Sequence, residues 1–478
     1  MLLQTKNRTD VLSGEGFERR AAGAARGLAL AVLALASAAG AADLSFPDAV
    51  TLLQQRNEAL AAARAEVSQR EEEAGVAAGL AWPRLDATAR YTRIDEPITI
   101  DLDPIRQVIL KLHPNVPSAV VPPFTLQVQD DTFWKADLRL SWPVYTGGKI
   151  DAARDAAGAE LRTAQAAQRQ TDETLTSELA RRYFALRLAR RAREVRASVV
   201  EGLDQHVQHA ACLEEEGMIA RAERLHAEVA RAETARQLAR SERDVELARL
   251  ALASILSSDE ADVEPSTRLF LLASVEPEVE FVQHALEANP ILARIAAQRA
   301  LAAVGSRAER ARYVPDVFIF GMHELHPSDL TILEPDWALG VGASLNLFDG
   351  FSREHRVAAA RAREQRVELT EQRARRDIAT LVEKRYRELV TARDLFMTLK
   401  HTQGLAEENL RVRTRAFEEG MGTSLDVVDA RLALSRVELE QATAAYDFVV
   451  ALAELLEASG QESRFGEYLA RADVEVER

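Results

Sequence analysis

The chain has 478 residues, only 5% of them aromatic, and a formal charge of −15. That length would ordinarily hold about three domains, but the dominance of Ala, Arg, Glu and Leu favours long helices over a bulky globular core. The acidic balance leaves no basic surplus to neutralise phosphates, which argues against nucleic acid as a partner, and the single cysteine, Cys212, excludes an internal disulfide.

Near the N-terminus, Arg19, Arg20 and Arg26 precede an apolar run, Leu28 to Ala36, and small residues follow from Ser37 to Asp43. This is the order of a secretory signal, so residues 1–42 are read as a signal peptide and the mature chain as starting near Asp43. No later apolar run is long enough to form a transmembrane helix. Residues 46–80 read as helix, with Val50, Leu53 and Leu60 on one face. From Trp82 the period falls to two. Leu85, Ala87, Ala89 and Tyr91 alternate with Asp86, Thr88, Arg90 and Thr92, which predicts a strand over about 84–94. The segment 95–131 holds Pro97, Pro104, Pro114, Pro117, Pro122 and Pro123 and reads as a long loop. A second strand, about 132–143, places Trp134, Ala136, Leu138, Leu140 and Trp142 on one face and Lys135, Asp137 and Arg139 on the other. Tyr145-Thr146-Gly147-Gly148 ends it. A helix then runs from about Ile150 to Cys212, roughly 90 Å at 1.5 Å per residue. After a turn at Gly217 a helix resumes from about Arg221 to Ser257, and residues 258–278 form a linker with Pro265 and Pro277.

The second half repeats this pattern. Val282, Asn289, Leu292 and Pro315 stand 232 positions after Val50, Asn57, Leu60 and Pro83. A strand candidate at 316–324 is apolar on both sides, so its faces are ambiguous. After a short loop, 325–335, a strand over about 336–347 alternates Trp337, Leu339, Val341 and Ala343 with Gly340, Gly342, Ser344 and Asn346. Phe348-Asp349-Gly350 ends it and a long helix follows. Here the offset is 203: Trp134, Tyr145, Leu179, Tyr183 and Leu186 recur as Trp337, Phe348, Val382, Tyr386 and Leu389. The turn Glu216-Gly217-Met218 recurs as Glu419-Gly420-Met421. The change of offset assigns about 29 extra residues to the first inter-strand loop, where insertions are tolerated. The mature chain is therefore read as two repeats, 43–268 and 269–478.

Four strands with one apolar face each cannot close a barrel alone. All four tryptophans, Trp82, Trp134, Trp142 and Trp337, lie at or in these strands, where a membrane-interface girdle would need them. Helices so long and Ala-rich meet partners along their length. An oligomer that pools strands into one barrel and helices into one tube satisfies both. The alternative is a secreted or periplasmic coiled-coil scaffold with a small soluble β domain. A requirement for detergent separates the two. A general porin would lack helices of this length.

The arrangement resembles the TolC-like family of outer-membrane efflux proteins, over 43–460. The resemblance rests on the internal repeat, the Asn57 and Asn289-Pro290 helix segments, the YTGG and FDG breaks, and the tip segments, above all Glu419 to Ala430. It implies a fold that is mainly α with a small transmembrane β part, assembled as a homotrimer. Twelve strands form an outer-membrane barrel and the helices a periplasmic α-helical tunnel. The loops 95–131 and 325–335 would face outside the cell. The tips, Glu216, Gly217, Met218, Glu419, Gly420 and Met421, would dock a periplasmic adaptor linked to an inner-membrane pump or ABC transporter. Asp426 and Asp429, i and i+3 on one helix face, match the family's acidic constriction. Threefold repetition would set six carboxylates around a narrow pore that favours cations, with a divalent metal acting as a blocker. The family's tip-closing Tyr and Arg are replaced by Phe417 and Gly422, while Glu223 keeps the acid, so the closing contacts must differ. The function implied is a passive exit duct for efflux or type I secretion.

No residues support an enzyme, a cofactor or a metal centre. His206, His209 and Cys212, at i, i+3 and i+6, spread over too wide an arc of a helix to form one site. Gly340-Val341-Gly342 is a lone GxG without phosphate-loop context and reads as lumen-facing strand positions.

Overall fold

The computed structural model of the protein describes residues 43–259 and 263–476; the expected signal peptide, 1–42, lies outside them. A short strand β1 (Asp43–Leu44) leads into two helices, α1 (Phe46–Arg56) and α2 (Glu58–Gly79). The single helix expected over 46–80 is thus broken, and Asn57 breaks it. Its side-chain oxygen accepts from the backbone of Ala59 and Leu60, which caps α2. Its amide donates to the Ile255 carbonyl, 3.0 Å away at the end of a distant helix.

Next come β2 (Arg84–Arg93), β3 (Ile98–Asp101), α3 (Asp103–Leu112), β4 (Thr125–Gln129) and β5 (Thr132–Tyr145). The reading of 95–131 as loop is corrected here. Pro104 sits in the first turn of α3, where its missing N–H removes no helical bond. β3 and β4 pair antiparallel. The segment is a hairpin carrying a helix, and its prolines mark boundaries within it.

The long hairpins follow: α4 (Lys149–Glu215, 67 residues) and α5 (Arg221–Ile255). Within the expected linker, β6 (Glu264–Pro265) pairs parallel with β1, and β7 (Phe270–Leu271) runs beside the last strand of the chain. The second half comprises α6 (Glu278–Ala288), α7 (Pro290–Ala311), β8 (Asp316–Glu324), β9 (Trp337–Ser344), α8 (Ser352–Glu418, 67 residues) and α9 (Ser424–Ser459). It closes with α10 (Phe465–Ala470) and β10 (Val474–Glu475). Both ends of α4 recur 203 positions later as the ends of α8. Asn289 likewise caps α7 through Ile291 and donates to Ala458 at 2.9 Å, and Ala458 stands 203 positions after Ile255.

The main sheet is antiparallel, in the order β2-β5-β8-β9, with β2 and β9 as open edges. Register carries one apolar face across it: Leu85 opposes Leu140, Tyr91 opposes Trp134, and Trp142 opposes Ile319, which opposes Val341. The ambiguity of β8 is thereby resolved. Val317, Ile319 and Gly321 share the apolar face, while Phe318 and Phe320 lie on the face of Arg139 and Asp137. The two rings cover Gly342 and Gly340, where a Cβ would approach them to 2.6 Å.

At about 1.5 Å per residue, α4 and α8 are each roughly 100 Å long. α4 packs against α2, α5, α7 and α9, and α8 against α7 and α9. Small side chains such as Ala152, Ala159, Ala444 and Ala445 let these helices approach closely. The bulky core is concentrated midway, where the Phe46 ring meets Phe465 tilted at 4.7 Å and Tyr183 edge-to-face at 5.4 Å. The Tyr183 hydroxyl donates to the Leu44 carbonyl and accepts from the Thr267 amide, which ties the N-terminal strand and the linker to α4.

Candidate functional site: the hairpin tip

Two identical turns end the long helices. Gly217 (φ +72°) and Gly420 (φ +73°) adopt the left-handed conformation that glycine tolerates without a Cβ clash. In the first turn Met218 N bonds Leu213 O and Gly217 N bonds Glu214 O. In the second Met421 N bonds Ala416 O and Gly420 N bonds Phe417 O. Each is the paired 6→1 and 5→2 pattern of a Schellman motif. Glu216, Met218, Glu419 and Met421 are exposed around the turns, and Arg415 pairs with Glu419 at 3.1 Å.

The structure brings the two turns side by side. Phe417 is buried with Ala210, Leu213 and Val427, its ring 4.7 Å from that of His206 and 5.9 Å from that of His209. His206 Nε2 and the fully buried Ser424 Oγ share a hydrogen bond of 2.8 Å. Burial, with the Arg431 guanidinium and His209 alongside, pushes His206 down to about 4. Glu223 accepts from the Ser424 amide at 2.9 Å, so its carboxylate sits on the N-terminus of α9, where the helix dipole favours negative charge. Gly422 is tightly surrounded: a Cβ there would come 3.2 Å from Phe417 N and 3.4 Å from Ala416. The Arg431 guanidinium lies over Gly202, and a Cβ on Gly202 would overlap it.

The two tip carboxylates are not equivalent. Asp426 closes a capping box with Thr423, accepting from its backbone amide and hydroxyl, and pairs with Arg413 at 3.2 Å. The Thr423 hydrogen bonds, then Arg413, hold Asp426 below the usual carboxylate range. Asp429, one turn along α9, is exposed, and its carboxylate makes no hydrogen bond or ion pair among the described residues.

The tryptophans stand at several positions along the sheet. Trp134, tilted against Tyr91 at 5.2 Å, lies near the loop end of β5, while Trp337 opens β9 and stands, through His323, in register with Leu138, midway between Trp134 and Trp142. Trp142 lies at the helix end and donates to the Ala81 carbonyl beside Trp82. All four are exposed. Trp134 and Trp142 are eight residues apart on β5, about 26 Å along the strand.

Sequence reasoning did not identify His206, Ser424, Arg413 or Arg431 as tip contacts. The available signal was a breach of the repeat. Positions 203 away from His206 and Ser424 are Asn409 and Arg221, so the contact is made once and has no counterpart.

A family model described as "Outer membrane efflux protein" matches residues 49–258 and 281–461. Protein CyaE of Bordetella pertussis is 29% identical over 268 residues, 53% of this chain and 55% of the relative. The chain therefore spans about half the length of that curated relative. Among solved structures, the outer membrane protein VceC of Vibrio cholerae superposes with a TM-score of 0.70 at 17% identity, covering 87% of this chain and 96% of that one. The Campylobacter jejuni CmeC outer membrane channel gives 0.70 at 15% identity, covering 90% of each. The structural likenesses establish the fold, and the family match spans most of both halves: the chain belongs to the outer membrane efflux protein family.

Proposed function

We propose that this chain is the exit duct of a tripartite efflux or type I secretion system, working in the outer membrane as a homotrimer. The observation that carries the reading is a four-stranded sheet, apolar across one face and open at both edges, that runs directly into two 67-residue helices. The edges β2 and β9 pair between neighbours and close a twelve-stranded barrel, which removes every open edge. The apolar face meets lipid, with Trp82 and Trp142 anchoring at the helix-side interface and Trp134 and Trp337, each near the loop end of its own strand, toward the outer one. The helices continue the barrel as a periplasmic tunnel. The duct does no chemistry: cargo passes through it while an inner-membrane pump or ABC transporter supplies the energy.

A periplasmic adaptor docks on the tips. Gly217 and Gly420 allow its close approach, and Met218 and Met421 offer adaptable apolar contacts. Asp429 and Asp426 set the constriction, with unequal weight. The charge of Asp426 is offset in part by Arg413 and its oxygens are engaged by Thr423, so the free Asp429 carboxylates dominate the field and favour cations.

The test is the size and conductance of the mature protein extracted from membranes. The reading requires a detergent-dependent trimer longer than about 100 Å that forms cation-preferring channels, with Asp429→Asn lowering that preference more than Asp426→Asn. A monomer soluble without detergent would end it.

A further inference from the structure

The hairpin inserted between β2 and β5 carries a helix turned inside out. Ile105, Val108, Ile109 and Leu112 follow the i, i+3, i+4, i+7 spacing of a core-facing stripe, yet they are between 43% and 70% exposed. The polar side is the one tied down. Arg106 donates to the Val121 and Ser118 carbonyls and pairs with Asp103, so the helix is fixed with its apolar stripe outward. The second inter-strand loop holds an equally bare pair, Ile332 at 69% and Leu333 at 83% exposed. That loop is anchored to its own sheet by other residues: Asp329 accepts from Trp134 N at 2.7 Å, and Glu334 pairs with Lys135.

We propose that the α3 stripe of one protomer packs on Ile332 and Leu333 of its neighbour, so that three such contacts form an apolar collar around the outer mouth of the barrel. This rests on the trimeric reading above. The sheet order supplies the geometry. The α3 hairpin joins edge strand β2 to β5, and the 325–335 loop joins β8 to edge strand β9. When β9 of one copy pairs with β2 of the next, the two bare surfaces become adjacent. Lipid tails are the weaker occupant. Past Tyr91 and Trp134 the hairpin is interrupted by Arg93, Asp95, Glu96, Asp130 and Asp131 before apolar residues return at Ile98, Ile100 and Leu126, and the span from Trp134 to Trp142, about 20 Å in height once the strand tilt is counted, supplies most of an apolar band about 25 Å tall. α3 lies past that interruption, beyond β3 and β4. An exposed apolar surface of this kind, rimmed by polar residues, marks an interaction site.

The experiment is a cysteine pair, Ile109→Cys with Leu333→Cys, in the full chain with the free, exposed Cys212 replaced by Ser. A second pair, Val108→Cys with Ile332→Cys, guards against one unfavourable geometry. Mild oxidation of membranes should give covalent dimers and trimers on non-reducing gels for the pairs and none for the single variants. On whole cells, a membrane-impermeant maleimide should label Ile109→Cys slowly, and adding Ile332→Ser and Leu333→Ser should speed labelling several-fold. A trimer in detergent with no cross-link from either pair and fast labelling of Ile109→Cys would overturn the collar and leave the duct standing. Cross-linking of Ile109→Cys alone would mean that the helices meet one another, which also overturns it. Protection from the maleimide together with labelling by a lipid-phase probe would assign the stripe to lipid and overturn it as well. A monomer in detergent would remove the duct and the collar together.

Discussion

Ser424→Ala tests whether the two hairpins are held together at their tips. The substitution deletes one oxygen from a side chain with no solvent exposure. It leaves the Ser424 amide on Glu223 intact, so the start of α9 keeps its anchor. What disappears is the 2.8 Å hydrogen bond to His206 Nε2, and the imidazole is then buried without that partner. Orphaning a buried polar group costs about 1–3 kcal/mol. Local opening of the tip should rise by the corresponding factor, between about 5-fold and about 150-fold, since 1.4 kcal/mol is tenfold. Hydrogen exchange reads this directly at the amides of Val428 to Arg431, which lie beyond the unbonded first turn of α9. In planar bilayers the same variant should spend more time in its higher-conductance state. Exchange at those amides indistinguishable from the parent would refute the reasoning, because the hydrogen bond would then contribute nothing to tip closure.

Three further outcomes are expected. His206 falls from its ordinary 6.5 to about 4 in the folded tip, so the unfolded chain binds more protons between those values and tip stability is lost as pH falls from about 6.5 to about 4; His206→Gln should flatten that dependence in exchange rates corrected for intrinsic pH effects. Glu173 is pushed up to about 8, by burial first and then by Glu462 and Glu457, so its stabilising contribution is present below its ordinary 4.5 and lost as pH rises to about 8. Glu173→Gln should therefore raise the melting temperature at pH 8 and leave it near the parent's at pH 4.5, as followed by thermal unfolding in detergent. Gly147 and Gly350 share a left-handed φ, +61° and +66°, but a Cβ at Gly147 would lie 2.6 Å from Val314 Cβ whereas Gly350 has open space. Gly147→Ala should cost about 1–3 kcal/mol more than Gly350→Ala through overpacking, and equal losses in the denaturation midpoint would contradict this.

The period of two was legible wherever a strand separates lipid-like from water-like residues, as β2 and β5 do. It failed at β8, because Phe318 and Phe320 are apolar yet share the face of Arg139 and Asp137. Only register shows that Gly340 and Gly342 make room for those rings. The α3 helix was hidden by its own start signal, since Pro104 and its neighbours read as loop until the Ile105 to Leu112 stripe is placed beside them. Asn57 was visible as a repeated position, but its task joins residues 198 apart and leaves no local pattern. The tip contacts were the least legible. His206 and Ser424 lie 218 positions apart, and the repeat that exposed the architecture has no equivalent of their bond.

The two asparagine joints carry a mechanical consequence. Asn57 and Asn289 each hold a short helix to the last turn of a returning one, at Ile255 and Ala458. From Ala458 to Ser424, α9 then extends about 50 Å with its far end at the turn. Pivoting at such a joint gives the helix a long lever arm. A tilt of about 5° would carry the tip some 4 Å sideways over that length, more than any tip hydrogen bond can follow. A small rotation imposed near the middle of the molecule is thus enough to part contacts at its far end, with no change inside the barrel.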